Sequence, residues 1–107
     1  PMQLRHATLK TNLESIRRDG LLPSKSRGKR QAVWLHTFSR TPWAILHMET
    51  RHRAKLRDVI ILTVDVPRSW VTRHQTGLWY CARVIPRERI IAVADGADWG
   101  QSPVLDN

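Results

Sequence analysis

The chain contains one cysteine, one phenylalanine, one tyrosine, five scattered glycines, and half as many acidic residues as basic ones. Each shortage excludes something. Cys81 alone can form neither an internal disulfide nor a multi-cysteine zinc site, and a lone thiol fits a reducing compartment. Glycines this dispersed build no Gly-rich phosphate loop. No stretch approaches the roughly 18 apolar residues of a membrane span, and the polar, basic run after Met2 lacks the apolar centre of a signal peptide. A soluble, cytoplasmic protein with no membrane partner is the expectation. At 107 residues, the chain reads as one domain over 2–107, large enough for a single core and too short for two.

Basic charge is what it has in excess. Eighteen Lys and Arg face nine Asp and Glu, a net charge of +9 with a pI near 11.3, which attracts polyanions and makes nucleic acid the first candidate partner. The plainer alternative is a solvated basic surface. Fourteen of the cations are Arg, whose planar fork suits bidentate phosphate contacts. "SKSRGKRQ" at 24–31 is polar and aperiodic and reads as an exposed loop. Its Lys25, Arg27, Lys29 and Arg30, with Arg5 and Arg40, are the candidate nucleic-acid contacts. Arg51, Arg53 and Arg57 divide evenly between a solvated face and a phosphate-tracking one.

The pattern of elements is β-α-β-α followed by strands alone, an α+β order. Residues 3–7 read as a strand. Thr11 and Glu14 have the spacing of a capping box for a helix over about 11–19, which Gly20 ends and Pro23 keeps from continuing. "AVWLHT" is a second strand. Thr41-Pro42 opens a second helix, "WAILHMETRHRAK". "DVIILTVDVP" at 58–67 is β-branched and apolar on both faces, the signature of an interior strand. "GLWYCARV" and "RIIAVAD" supply two more. Asp65, just before Val66-Pro67, reads as a turn cap or an arginine's partner.

Few of these residues fit a catalytic constellation. His47 and His52 are five apart, off the i, i+4 spacing of a helical metal pair, and have no Glu-x-x-His or Cys-x-x-Cys beside them, so no metal site is expected. Cys81 between Tyr80 and Ala82 reads as core. Two histidines stand in matching places: His6 before Ala7-Thr8 and His36 before Thr37, each at the end of a strand that feeds a helix. Ends of neighbouring strands line crevices, where His and Thr offer donors and acceptors to a sugar hydroxyl or an amide. The alternative is a pair of satisfied core or edge histidines.

"LRHATLKTNLESIRRDGLLP", then "AVWLHT", "TPWAILHME", "VIILTVDVP" and "GLWYCARVIPRERI", together spanning about residues 4–94, resemble the ADP-ribosyltransferase superfamily. Nearest by look are its DNA-modifying toxin enzymes and the RNA 2′-phosphotransferases. The resemblance implies an ADP-ribosyltransferase-like split β-sheet with two main helices, and NAD as substrate. It implies that His6 grips the ribose next to nicotinamide, the Ala7 backbone holds the carboxamide, Thr8 supports that turn, and Trp43 stacks on the ring, with Trp34 or Tyr80 as substitutes. His36 falls beside a position that is Tyr or Ser in many members. Many members carry a glutamate on the active-site strand; here that strand reads Leu78, Trp79, Tyr80, Cys81, Ala82, Arg83, with no carboxylate. The 2′-phosphotransferases need no such glutamate, and by that analogy His6, His36 and Arg83 are the catalytic candidates. The expected function is a transferase acting on nucleic acid, by ADP-ribosyl transfer or 2′-phosphate removal. Its rivals are a non-catalytic nucleic-acid-binding module and a degenerate nucleotide sensor.

Overall fold

A computed structural model describes residues 1–99. Among these residues six strands form one sheet: β1 (Met2–Leu9), β2 (Val33–His36), β3 (Val59–Val66), β4 (Val71–Gln75), β5 (Leu78–Cys81) and β6 (Ile90–Asp95). Their order is β4-β5-β2-β1-β3-β6, and every pairing is antiparallel. Two α-helices, α1 (Leu13–Asp19) and α2 (Thr41–Arg51), complete an α+β fold.

The sheet is covered on both faces, and the side-chain alternation of its strands shows it. Leu4 joins a cluster with Val33, Leu35, Ile60, Leu62, Val64 and Cys81 under Ile16 of α1 and Ile85. Ala7 and Leu9 turn the other way, to Val59, Ile61, and Ile45 and Met48 of α2. β3 serves both clusters, which is why its sequence lacks polar alternation; seven of its eight residues are buried. Each such Leu, Ile or Val removed from water contributes about 1.5–3 kcal/mol.

β1 and β3 pair along their whole length, from Met2↔Val66 to Leu9↔Val59. On its other side β1 meets β2 at a single register pair, Arg5↔His36. The two middle strands of the sheet therefore part after one rung, and this split positions everything described below.

Gly20 ends α1 at φ +79°, donating its N–H to the Ile16 carbonyl at 2.7 Å. Leu21 and Ile85 then exchange backbone hydrogen bonds at 2.9 and 3.0 Å, tying the helix end to the far loop. The Thr11–Glu14 capping box does not form. Residues 10–12 make a 3-10 turn, and α1 begins at Leu13 without a side-chain cap, while the Asn12 amide donates to Thr8 Oγ1 at 3.0 Å. Thr41 is the first residue of α2 and not its cap; its hydroxyl donates back to the Phe38 carbonyl at 2.8 Å. α2 ends at Arg51, short of the expected reach, with Arg53 at φ +53° turning the chain away. β4 had no counterpart in the hydrophobic pattern, because four of its five residues are exposed and an edge strand is held by its ladder more than by its side chains. Asp65 lies within β3, opposite Gln3.

A side chain at Gly20 would drive its Cβ into the Ile85 carbonyl oxygen at a backbone angle unsuited to L-residues. Gly20→Ala is expected to cost about 2 kcal/mol or more, read as a lower urea midpoint at an unchanged slope.

Candidate functional site

The parting of β1 and β2 leaves a carbonyl to be satisfied. Counting on from Arg5↔His36 sets Ala7 opposite Trp34, yet the two do not pair. The Trp34 carbonyl is held instead by His6 Nδ1 at 2.7 Å. A carbonyl can only accept, so Nδ1 carries the proton, and in the neutral ring Nε2 is left as an acceptor. Burial pushes the His6 pKa down against the opposing pull of that hydrogen bond. His6 is thus a neutral imidazole of fixed tautomer, set where a ladder rung would have been.

Through the opening runs a cleft of about 980 Å³, at the upper end of the ordinary range for small-molecule sites. His6 and His36 both line it. They come from opposite faces of the sheet: His6 shares the parity of Leu4, whereas His36 alternates with Leu35 and lies opposite Arg5. Only because the strands separate do both reach one space. His36 is 4 % exposed, and its Nε2 has no hydrogen-bond partner among the described residues. Burial first, then the neighbouring His6 and Arg5, lower its pKa to about 3. A buried polar nitrogen without a partner costs about 1–3 kcal/mol, and a hydroxyl or amide entering the cleft would supply one.

One wall of the cleft is α1 and the turn after it, with Asn12, Ser15, Arg18, Asp19, Lys25 and Arg27. The other is α2, where Trp43 and His47 stack at 5.1 Å between ring centres and His52 meets His47 edge-on at 5.5 Å. Trp43 is 40 % exposed, with the Arg40 guanidinium 5.9 Å from its ring centre. Burial, with His52 and Arg51 nearby, lowers the His47 pKa. Four cations line the cleft (Arg18, Lys25, Arg27 and Arg51) against one carboxylate among the described residues, Asp19. Asp19 is already held by Arg18 at 3.0 Å.

The other predicted site residues divide. Ala7, Thr8 and Trp43 line the cleft with the two histidines, as do Lys25 and Arg27. Tyr80 does not; it packs against Trp34 at 5.4 Å and lies beneath the Arg30 guanidinium at 4.3 Å. Arg83 lies elsewhere, stacked on Trp70 at 3.6 Å, because it falls two residues beyond the end of β5. Arg5 is buried at the base of α2, donating to Thr41 Oγ1 at 3.3 Å with Phe38 across its guanidinium at 3.9 Å, so it braces the fold where a surface contact had been expected. Arg40 is tied to the Thr76 carbonyl at 2.9 Å. Lys29 and Arg30 stay exposed on the loop. Sequence reasoning passed over Asn12, Arg18, His47, Arg51, His52 and His74 as cleft residues. The i, i+4 spacing of Trp43, His47 and Arg51 was the available signal for one shared helix face.

No protein-family model matches the chain, and no curated protein matches it.

His36 is neutral when folded down to about pH 3, whereas its unfolded value is 6.5. The unfolded chain therefore binds the extra proton between these values, and stability is lost as pH falls through that window. By this term the protein is about 2 kcal/mol less stable at pH 5 than at pH 7. His36→Leu is expected to remove most of that difference, measured by urea unfolding at the two pH values.

Proposed function

We propose that the cleft binds NAD or an ADP-ribose-like nucleotide, and that the protein transfers ADP-ribose to a phosphate group carried by a nucleic acid. The observation that carries this reading is the pair of neutral imidazoles at the strand split. His6 Nε2 is a fixed acceptor for a sugar hydroxyl, and the His36 nitrogen beside it awaits a partner. The cleft volume suits a dinucleotide, Trp43 offers a flat face for a ring, and the cationic walls suit a pyrophosphate. The order of motifs resembling the ADP-ribosyltransferases agrees with this arrangement.

The charge balance of the cleft selects the acceptor. NAD supplies a cationic leaving group, nicotinamide, on an anomeric carbon. The exchange replaces the C–N bond to nicotinamide, which keeps its electron pair, with a C–O bond to the acceptor. A neutral hydroxyl acceptor would need a base to take its proton and an anion to offset the positive charge developing on the sugar. Asp19, the one carboxylate lining the cleft among the described residues, is engaged by Arg18. A phosphate monoester brings its own negative charge and loses no proton. In this scheme His6 and His36 orient the sugar, Trp43 holds the ring, and Lys25, Arg27 and Arg51 hold phosphates. The single cysteine, unpaired and buried, suits a cytoplasmic setting.

The same shortage of free carboxylate favours a second reading, in which the site binds nucleotide or nucleic acid without turnover.

Incubation with NAD and a 2′-phosphorylated oligonucleotide, followed by mass spectrometry, is expected to show free nicotinamide and an ADP-ribose adduct or loss of the 2′-phosphate. His6→Ala is expected to lower the rate by about a hundredfold, since a misplaced sugar forfeits that much. A thermal shift with NAD but no product would leave the nucleotide sensor standing, and neither shift nor product would overturn both nucleotide readings.

A further inference from the structure

A second cationic surface lies away from the cleft. From Val66 to Ile90 the sequence contains five arginines and a single acid, Glu88, which is paired with Arg87 at 3.3 Å. Their guanidinium groups are not loose: Arg83 lies over the Trp70 ring at 3.6 Å, Arg89 over the same indole at 5.1 Å, and Arg68 over Trp79 at 4.7 Å. Arg73 stands directly opposite Trp79 across the β4–β5 ladder. Trp70 and Trp79 are half-buried against the α1-side core, so the platforms under these arginines are anchored. Arg68 also donates to the Val71 carbonyl at 2.9 Å, and Arg73 to Thr76 Oγ1 at 3.0 Å. Arg68, Arg73 and Arg83 are exposed, and none of these three, nor Arg89, makes an ion pair among the described residues.

Guanidinium groups laid on indole faces are held in plane at little further entropic cost, with their edge N–H groups turned to solvent. Several such groups gathered around two indoles, none of them paired with an acid among the described residues, match a chain of phosphodiesters and exceed what a single anion requires. The surface also leads somewhere: His74, the residue after Arg73 on β4, lines the cleft. From these observations we infer that Arg68, Arg83 and Arg89, mounted on Trp70 and Trp79, together with Arg73 on β4, form a docking track for the backbone of a single-stranded nucleic acid, which passes around the β4 edge toward the cleft. The inference extends the proposed acceptor to the body of its strand, but it does not require that NAD bind in the cleft. Single strands are favoured over duplex because a strand turning around one sheet edge must bend sharply. RNA and DNA share the phosphodiester chemistry.

The test measures binding of fluorescein-labelled oligouridylate and oligothymidylate of about twelve nucleotides, within the usual site size for single strands, as a function of salt. Each phosphate contact on a single strand contributes about 0.7 to the slope of log affinity against log salt. The triple variant R68A/R83A/R89A is expected to flatten that slope by about 2 and to bind at least about tenfold more weakly, while its thermal shift with NAD matches the parent's. R73E has no indole beneath it to lose; it is expected to weaken oligonucleotide binding with an unchanged melting temperature, and it carries the test if the triple variant does not fold. Equal loss with the two oligonucleotides is expected of a backbone track, and loss with one alone would overturn the sequence-blind form proposed. The inference fails if the parent binds neither oligonucleotide, if it binds phosphatidylserine vesicles in their place, or if the folded variants bind with parental slope and affinity. A missing NAD shift with the track intact would sink the cleft reading alone.

Discussion

The site depends on one substitution in the hydrogen-bond ladder. In an unbroken antiparallel pair the carbonyl of Trp34 would take a backbone N–H from β1; here it takes the imidazole of His6. Buried backbone groups must be satisfied, so a sheet can part in its middle only if something replaces the missing rungs. An aliphatic residue at position 6 would leave the Trp34 carbonyl without that donor. The histidine closes the account on one side and, with Nδ1 committed, presents Nε2 on the other. One residue therefore holds the split and serves the space that the split opens.

That constraint settles the protonation states of its neighbourhood. His6 needs only its neutral form to hold the Trp34 carbonyl, and burial favours that form. Burial disfavours the charged form of His36 first, and the neighbouring His6 and Arg5 oppose it further. Arg5 itself is fixed beneath α2 by Thr41 and Phe38. Below the cleft, then, is a permanent cation in the fold; lining it are two neutral rings; along its walls are three arginines and a lysine. Such a gradient draws anions in and leaves hydrogen-bonding to neutral groups at the bottom, an arrangement suited to a sugar with phosphates attached.

How much of this could be read from the sequence varied with how local the signal was. β3 was legible because eight nearly all-apolar, β-branched residues permit little else, and Gly20 because a helix stop has few chemical solutions. His6 and His36 stood out as polar residues at strand ends. Their convergence was not legible, since they alternate to opposite faces and meet only where pairing fails, a fact of register that no single strand carries. β4 was missed for a related reason: "VTRHQ" takes its structure from β5's ladder and not from its own hydrophobicity. Arg5 misled because a basic residue beside a histidine looks exposed, whereas it is buried against Thr41 and Phe38, more than thirty positions away in sequence.

The aromatic residues extend the same logic to the outside of the molecule. Five tryptophans in 107 residues are more than the core uses. Trp70 and Trp79 are only half-buried, and each carries a guanidinium on its ring. Trp34 packs with Tyr80 and His74, and Trp43 with His47. Each ring thus has one flank in the fold and one turned to a cation or an imidazole. Cation–π contact fixes a charge without neutralising it, whereas a carboxylate partner would fix the charge and cancel it. With acids half as numerous as bases, the fold uses indoles to position arginines that carboxylates cannot, and those arginines keep their full attraction for phosphate. The shortage of acid that leaves the cleft without a free carboxylate among the described residues is therefore the same property that leaves the outer surface positively charged. A phosphate-bearing partner is the one class of ligand that both features favour.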